Sequence, residues 1–305
     1  MNGVVLMAYG SPRRQEDIAA YYTDIRRGRP PSAEQLADLT RRYDAIGGLS
    51  PLVERTEAQR EMLASELESE APGRFIVHLG FRHSEPSIEA AVESLATAGV
   101  TEIVGLVLAP HYSAMSVAVY LERAGKAAAA RGLTFTGIES WATEPVYVDL
   151  LAGDVEAALA HPDMPAGTKV VFTAHSLPRR ILAADDRYVA EVSATATLVA
   201  ARAGLAEDRW TIAWQSAGRT SEPWLEPELL GVIDSLGADE QVAGVLVCPC
   251  GFVADHLEVL YDLDIEAARR AEAAGLTFRR TQVVNDDSGV MSALARRIVA
   301  AVDGS

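Results

Sequence analysis

Two segments of this chain carry side chains whose types and spacing could do metal or proton chemistry. In Thr173-Ala174-His175-Ser176-Leu177-Pro178 a histidine ends a β-branched apolar run and a proline turn follows at once. An imidazole with a pKa of about 6.5 can accept a proton or ligate a divalent metal at neutral pH. The second segment runs from Asp255 to Glu266. Read as one helix, it puts Asp255, Glu258, Asp262 and Glu266 on a single ridge, at i, i+3, i+7 and i+11. Like charges at such spacings repel. Complementation of a helix N-terminus would account for Asp255 and Glu258 alone. A row of acids is ordinarily a solvated face. The sharper reading is a cation track, because carboxylates suit hard and borderline divalent metals and carboxylate plus imidazole suits ferrous iron.

The remaining reactive side chains narrow the choice. Cys248 and Cys250 are the only cysteines, one residue apart. A disulfide between them would be strained, and a zinc or iron–sulfur site normally takes four ligands. They read as buried thiols at a strand end. The net charge of −16 argues against nucleic-acid binding. That charge is uneven. Residues 1–60 hold nine arginines (13, 14, 26, 27, 29, 41, 42, 55 and 60) against eight acids, so a small anionic ligand would favour this part. No apolar run reaches the ~18 residues of a membrane span, and the N-terminus lacks the basic start of a secretory leader. The expectation is a cytoplasmic protein.

The elements that must position these residues follow from a weak internal duplication. VVLMAYGSP at 4–12 matches VVFTAHSLP at 170–178. GFRHSEP at 80–86 matches AGRTSEP at 217–223, and VGLVLAPHY at 104–112 resembles AGVLVCPCG at 243–251. Each is a short apolar run, buried on both faces as in a parallel sheet, that ends in polar residues and a proline. Alanine-rich amphipathic stretches lie between them, including Ile88–Leu95, Val117–Arg131, Asp186–Gly204 and Pro227–Leu236. The pattern predicts an α/β protein of two Rossmann-like, doubly wound domains with parallel sheets related by a pseudo-two-fold, residues 1–145 and 146–305. The last helix is expected to be able to pack back on the N-terminal domain. The first two prolines are 74 residues apart in one half and 45 in the other. The surplus falls on the arginine-rich stretch around 21–52, which reads as a ligand-binding wall. Ligands of such sheets bind beyond the carboxyl ends of the strands. That places Tyr9, His83, His111, His175 and Arg219 near cleft mouths, with Tyr9 the counterpart of His175. His78 and His161 read as structural or exposed.

Over essentially the whole chain these motifs resemble the ferrochelatase family. The pieces are MAYGSP, YYTDIRRGR, RYDAIGGLSPL, LAPHYS, TAHSLP, WQSAGR with SEPWL, and GFVADHLEVLYDLDIE. The chain is similar to the short soluble bacterial branch, which is associated with iron insertion into coproporphyrin III in heme biosynthesis. The resemblance implies that His175 and Glu258 are the metal-insertion pair that meets Fe2+. It implies that Tyr9 faces the porphyrin metal from the other side, and that Arg26, Arg42, Tyr43, Ser50 and Tyr120 contact the macrocycle or its propionates. His83 would be a further inner polar position. Asp262 and Glu266 would form an outer site able to hold a hydrated divalent cation such as Mg2+. Some relatives hold a [2Fe–2S] cluster on four cysteines, so with Cys248 and Cys250 alone none is expected here. A monomer is expected, without stable membrane insertion. Protoporphyrin IX as substrate, cobalt insertion into another tetrapyrrole, and a non-catalytic tetrapyrrole or metal carrier remain the alternatives.

Overall fold

The computed structural model describes every residue except Asp185, Arg219 and Ser305, so the expectation for Arg219 lies outside the described residues. In chain order the first half contains β1 (Asn2–Ala8), α1 (Ile18–Ile25), α2 (Ala33–Ala45), α3 (Leu52–Glu70), β2 (Phe75–Phe81), α4 (Ile88–Thr97), β3 (Glu102–Val107), α5 (Val117–Ala129) and β4 (Thr134–Ile138). Helix α6 (Pro145–Leu159) leads to β5 (Thr168–His175), α7 (Tyr188–Arg202), β6 (Trp210–Gln215), α8 (Leu229–Gly237) and β7 (Gly244–Cys248). There follow α9 (Leu257–Leu260), a π-helix (Asp262–Ala267), α10 (Ala268–Ala273), β8 (Thr277–Arg280) and α11 (Ser288–Asp303). The strands form two four-stranded sheets of order β2-β1-β3-β4 and β6-β5-β7-β8. Every strand pairing is parallel. The same order in both halves is the duplicated doubly wound architecture that the motifs predict.

Strand periodicity explains where the core sits. Val4 and Leu6 of β1 turn to one face, and Val5 and Met7 to the other. The first face joins Phe172, Leu246, Tyr147 and Leu294 in one apolar core that both sheets share. Val5 and Met7 pack on α4 and α5, and Val171, Val245 and Val247 pack on α8 and the π-helix. Helix α11 lies against α3, with Arg74 paired to Asp303 at 2.6 Å and Arg296 to Glu70 at 3.4 Å. A buried glutamine, Gln59 of α3, donates its amide to the carbonyls of Val253 and Asn285, both at 2.8 Å. No helix among the described residues is long and apolar enough to cross a membrane.

The structure corrects one part of the motif alignment. Phe81 N–H donates to the Pro86 carbonyl, and Trp214 N–H donates to that of Pro227. Ser87 and Glu228 then cap α4 and α8 through their side chains. The counterpart of Pro86 is therefore Pro227, not Pro223. Residues 223–225 are instead knitted to the turn after His175, through Arg179 N–H to Pro223 O and Leu225 N–H to Leu177 O. Between β1 and β2 there are three α-helices where β5 and β6 are joined by one, so α1 and α2 are the surplus.

One close approach supports the strand end that carries His175. A Cβ at Gly251 would lie 2.4 Å from Ala174 Cβ and 2.6 Å from its Cα. We expect Gly251→Ala to lose about 1–3 kcal/mol through overpacking. Gly153→Ala, on an exposed helical position with nothing nearby, should gain about 0.5–1 kcal/mol. Urea unfolding of the two variants checks the opposite signs.

Candidate active site

Parallel pairing places His175 at the last residue of β5, in register with Gln215 at the end of β6. Ser176 N–H donates to the Gln215 carbonyl at 2.7 Å, and Tyr188 O–H donates to the His175 carbonyl at 2.9 Å. The imidazole Nδ1 meets the Ser176 carbonyl. With Nδ1 as the donor there, Nε2 is directed outward, 3.6 Å from Glu258 Oε2. Glu258 sits in the first turn of α9, and the Gln215 amide donates to its backbone carbonyl at 3.0 Å. His256 Nε2 lies 3.8 Å from the same Oε2, while His256 Nδ1 bonds the Ala254 carbonyl at 2.8 Å. One carboxylate is thus flanked by two imidazoles.

The electrostatics follow from this geometry. Burial alone would lower the His175 pKa, but the Glu258 carboxylate outweighs it, helped by the Ser176 carbonyl, and the net movement is up from 6.5. Burial pushes the Glu258 carboxyl up, yet His175 and then His256 hold it well below the usual carboxylate range. Each side chain is about one-third exposed, at 35% and 34%, so the pair opens to the cleft.

The other half contributes tyrosines. Tyr9 follows β1 at the place His175 takes on β5, and it is 41% exposed. Its ring lies 4.6 Å from that of His83, whose Nδ1 meets Asp24 Oδ2 at 2.6 Å. Burial first, and then the Glu258 charge, push the Tyr9 phenol up. Tyr43 of α2 also feels Glu258 and is pushed up to about 12, chiefly by burial. Tyr120, under the Arg82 guanidinium at 5.4 Å, is pushed up to about 12 by burial. Tyr43 and Ile18 of the first half pack with Leu257 and Tyr261, which flank Glu258, so the two halves meet beside this carboxylate.

Several positions weighed in the sequence make contacts within the fold. Ser50 is buried, and its hydroxyl accepts from Leu52 N–H at the start of α3. Arg26, at the end of α1, donates to the Arg29 carbonyl at 3.2 Å. His111 is buried against Thr195 at 2.9 Å, and burial lowers it to about 3. His161 lies near Asp163, at 3.5 Å. Cys248 and Cys250 are buried, and burial pushes both thiols up.

The four-acid ridge is not formed. Helix α9 starts at Leu257, so Asp255 precedes it and is taken by Asn285 at 2.9 Å and Arg280 at 3.3 Å. Beyond Tyr261 the chain widens to a π-turn, closed by Glu266 N–H on Tyr261 O at 2.9 Å, which re-aims the later acids. Asp262 is buried, with Arg42 on one carboxylate oxygen and the Ser216 hydroxyl on the other. Burial raises its pKa to about 6 despite Arg42. Of the outer pair, only Glu266 is open to solvent, so Asp262 and Glu266 are not an open two-carboxylate site. Among the described residues no group of three or more His, Cys, Asp or Glu side chains could hold a metal. Sequence reasoning missed His256, Gln215 and Ser216. Gln215 and Ser216 lie within WQSAGR and His256 within GFVADHLEVLYDLDIE, motifs that contained them without assigning a role.

Comparison with known proteins agrees with these features. The family model described as Ferrochelatase matches residues 1–302. The chain is 43% identical over 300 residues to the coproporphyrin III ferrochelatase of Geobacillus kaustophilus, covering 96% of this chain and 93% of that one. It is 40% identical over 308 residues to the enzyme of that name from Bacillus pumilus, covering 99% and 98%. Among solved structures, SirB from Bacillus subtilis with Fe3+ superposes with a TM-score of 0.60 at 12% identity, over 100% of this chain and 98% of that one. DR2241 from Deinococcus radiodurans gives 0.57 at 13%, over 100% and 55%. The two solved structures share the fold. The chain belongs to the ferrochelatase family, enzymes whose substrates are a porphyrin and iron.

The coupling of His175 to Glu258 has a definite sign. The raised His175 contributes stability that is full below 6.5 and lost as pH rises through its folded value. The lowered Glu258 contributes stability present above 4.5 and lost as pH falls through its folded value. In Glu258→Gln burial, the largest influence on the imidazole, is opposed only by the Ser176 carbonyl and the Asp262 charge, so the His175 midpoint should drop below 6.5. An imidazole NMR titration reads it directly, and a midpoint that stays above 6.5 would contradict this account.

Proposed function

For a chain of the ferrochelatase family, we propose that ferrous iron enters a porphyrin between His175 and Glu258, and that the porphyrin is coproporphyrin III, giving iron coproporphyrin for heme biosynthesis. The relatives of about 40% identity that carry this name support the choice of ring. The observation that carries the site assignment is the facing pair, with Nε2 3.6 Å from the carboxylate and both side chains about one-third exposed.

The chemistry balances on these residues. A free porphyrin has two pyrrole N–H groups, and insertion of Fe2+ releases both protons. In the resting pair the Glu258 charge favours protonated His175. When iron draws on the Glu258 carboxylate, that support weakens and burial lowers the imidazole pKa. His175 then loses its proton outward and can accept one from a pyrrole. His256, 3.8 Å from the same carboxylate, offers the position for the second pyrrole proton. Tyr9 faces the opposite side of the ring. Clamping and bending of the macrocycle between Tyr9, Tyr43, Ser50 and Tyr120 would turn its nitrogen lone pairs toward the metal. Arg26 and Arg42 meet substrate carboxylates by charge-assisted hydrogen bonds. A hydrated Mg2+ at Asp262 and Glu266 requires Arg42 to leave Asp262. The enzyme works in this reading as a cytoplasmic monomer without an iron–sulfur cluster.

Anaerobic Fe2+ insertion into coproporphyrin III and protoporphyrin IX, side by side, tests the proposal. Wild type should prefer coproporphyrin III. His175→Ala should lose at least about 100-fold in kcat, as removal of a general base does, while still folding cooperatively. A protein that binds both ligands without joining them is a carrier. Full activity in His175→Ala would remove the catalytic assignment.

A further inference from the structure

The ion pair between Arg42 and Asp262 joins residues 220 positions apart, one on the surplus helix α2 and the other at the start of the π-helix. Both side chains are largely withdrawn from solvent, at 21% and 7% exposure. The pair is nevertheless incomplete on the arginine side. Asp262 engages Nη2, while Arg42 Nε is buried with no partner. A guanidinium is a planar fork of five donors, best satisfied by a carboxylate that takes two of them at once. Two contacts would hold the parts in place if Asp262 let go. The Arg42 guanidinium lies on the Tyr261 ring, 4.6 Å from its centroid, and Asp262 keeps the Ser216 hydroxyl on its other oxygen.

We propose that Asp262 occupies Arg42 as a stand-in for a substrate carboxylate, so that porphyrin binding at this guanidinium exchanges one carboxylate for another. The inference rests on the cleft being a porphyrin site and on Arg42 being one of its substrate contacts. Leaving a buried arginine bare in the empty cleft would be costly, and Asp262 removes that cost. The same pairing taxes the substrate, because each bound ring must first displace an internal carboxylate. A ring without a carboxylate at this position gains nothing from the exchange and leaves the Asp262 pair closed. Asp262 is thus a specificity-determining residue through its hold on Arg42.

Binding of coproporphyrin III, followed by quenching of tryptophan fluorescence without iron, tests this in the full chain. Arg42→Gln should weaken binding about tenfold, the scale of one charge-assisted contact. Asp262→Asn should tighten it by about the same factor. Glu272→Gln removes an equal charge from α10, just after the π-helix, without touching Arg42, and should change binding less than about twofold. Ser216→Ala leaves Asp262 leaning on Arg42 alone and should weaken binding, which keeps the idea testable if Asp262→Asn does not fold. If Arg42→Gln leaves the affinity unchanged, Arg42 is not a substrate contact and the underlying reading fails at that residue. If Arg42→Gln weakens binding while Asp262→Asn does not tighten it, the stand-in role fails and the reading stands. Equal tightening by Glu272→Gln would reduce the effect to general charge and overturn the proposal, as would unchanged binding in Ser216→Ala.

Discussion

Burial pulls both members of the His175–Glu258 pair toward neutrality, and their mutual attraction holds them charged. At 3.6 Å that attraction depends steeply on surroundings, because a pair about two-thirds withdrawn from water is screened less than one in bulk solvent. The separation therefore has to be built into the backbone. His175 is fixed by the register of β5 on β6 and by the Tyr188 hydroxyl on its carbonyl. Glu258 is fixed by Gln215, whose main chain serves the His175 side of the cleft and whose side chain serves the Glu258 side. One residue at the end of β6 thus ties together two groups that reach the site on separate strands and loops.

The larger architecture extends this constraint across the halves. The loop that leads to Glu258 is gripped from the other half by Gln59, which bonds Val253 and the Asn285 carbonyl. Asn285 in turn bonds the Asp255 main chain at 3.0 Å and its carboxylate at 2.9 Å. Tyr43, Ile18, Leu257 and Tyr261 make a small apolar cluster between the surplus helices and α9. A shift of one half relative to the other would move the loop bearing Glu258 with α3 while His175 stayed with its sheet. The shared core of both sheets, anchored by α11 on α3, opposes that shift.

Much of this was legible in the sequence, and the failures have physical causes. The duplicated strand ends could be read because a doubly buried parallel strand must be apolar on both faces, which leaves a dense run before each functional residue. His175 and Tyr9 were found as the residues that close such runs. The SEP motif misled because two similar tripeptides lie four residues apart, Ser221-Glu222-Pro223 and Leu225-Glu226-Pro227, and only the hydrogen bond from Trp214 tells which one opens the helix. The acid row misled because helical spacing was assumed through Tyr261, where the chain takes a π-turn that no residue pattern announces. Gln215 and Ser216 stayed hidden because a polar residue at a strand end has no periodicity. Their roles come from pairings with Glu258 and Asp262, more than 40 positions away.

The arginines of the first 60 residues show how charge in the sequence differs from charge available to a ligand. Arg14, Arg41, Arg42, Arg55 and Arg60 each have a carboxylate within 4 Å. Arg13 reaches the Glu85 carbonyl. Among the described residues no ion pair engages Arg26, Arg27 or Arg29, and Arg26 and Arg29 bond each other's carbonyls across the turn after α1. The positive field of the N-terminal part is therefore concentrated at that turn, where Arg27 and Gly28 take left-handed backbone and Arg27 and Arg29 are exposed. An anionic ring approaching a protein of net charge −16 meets repulsion over most of the surface. On the proposed reading it would meet attraction first at this turn, and at Arg42 once Asp262 gives way. An outer arginine group that is free and an inner one that is occupied would separate capture of a carboxylate from its final seating.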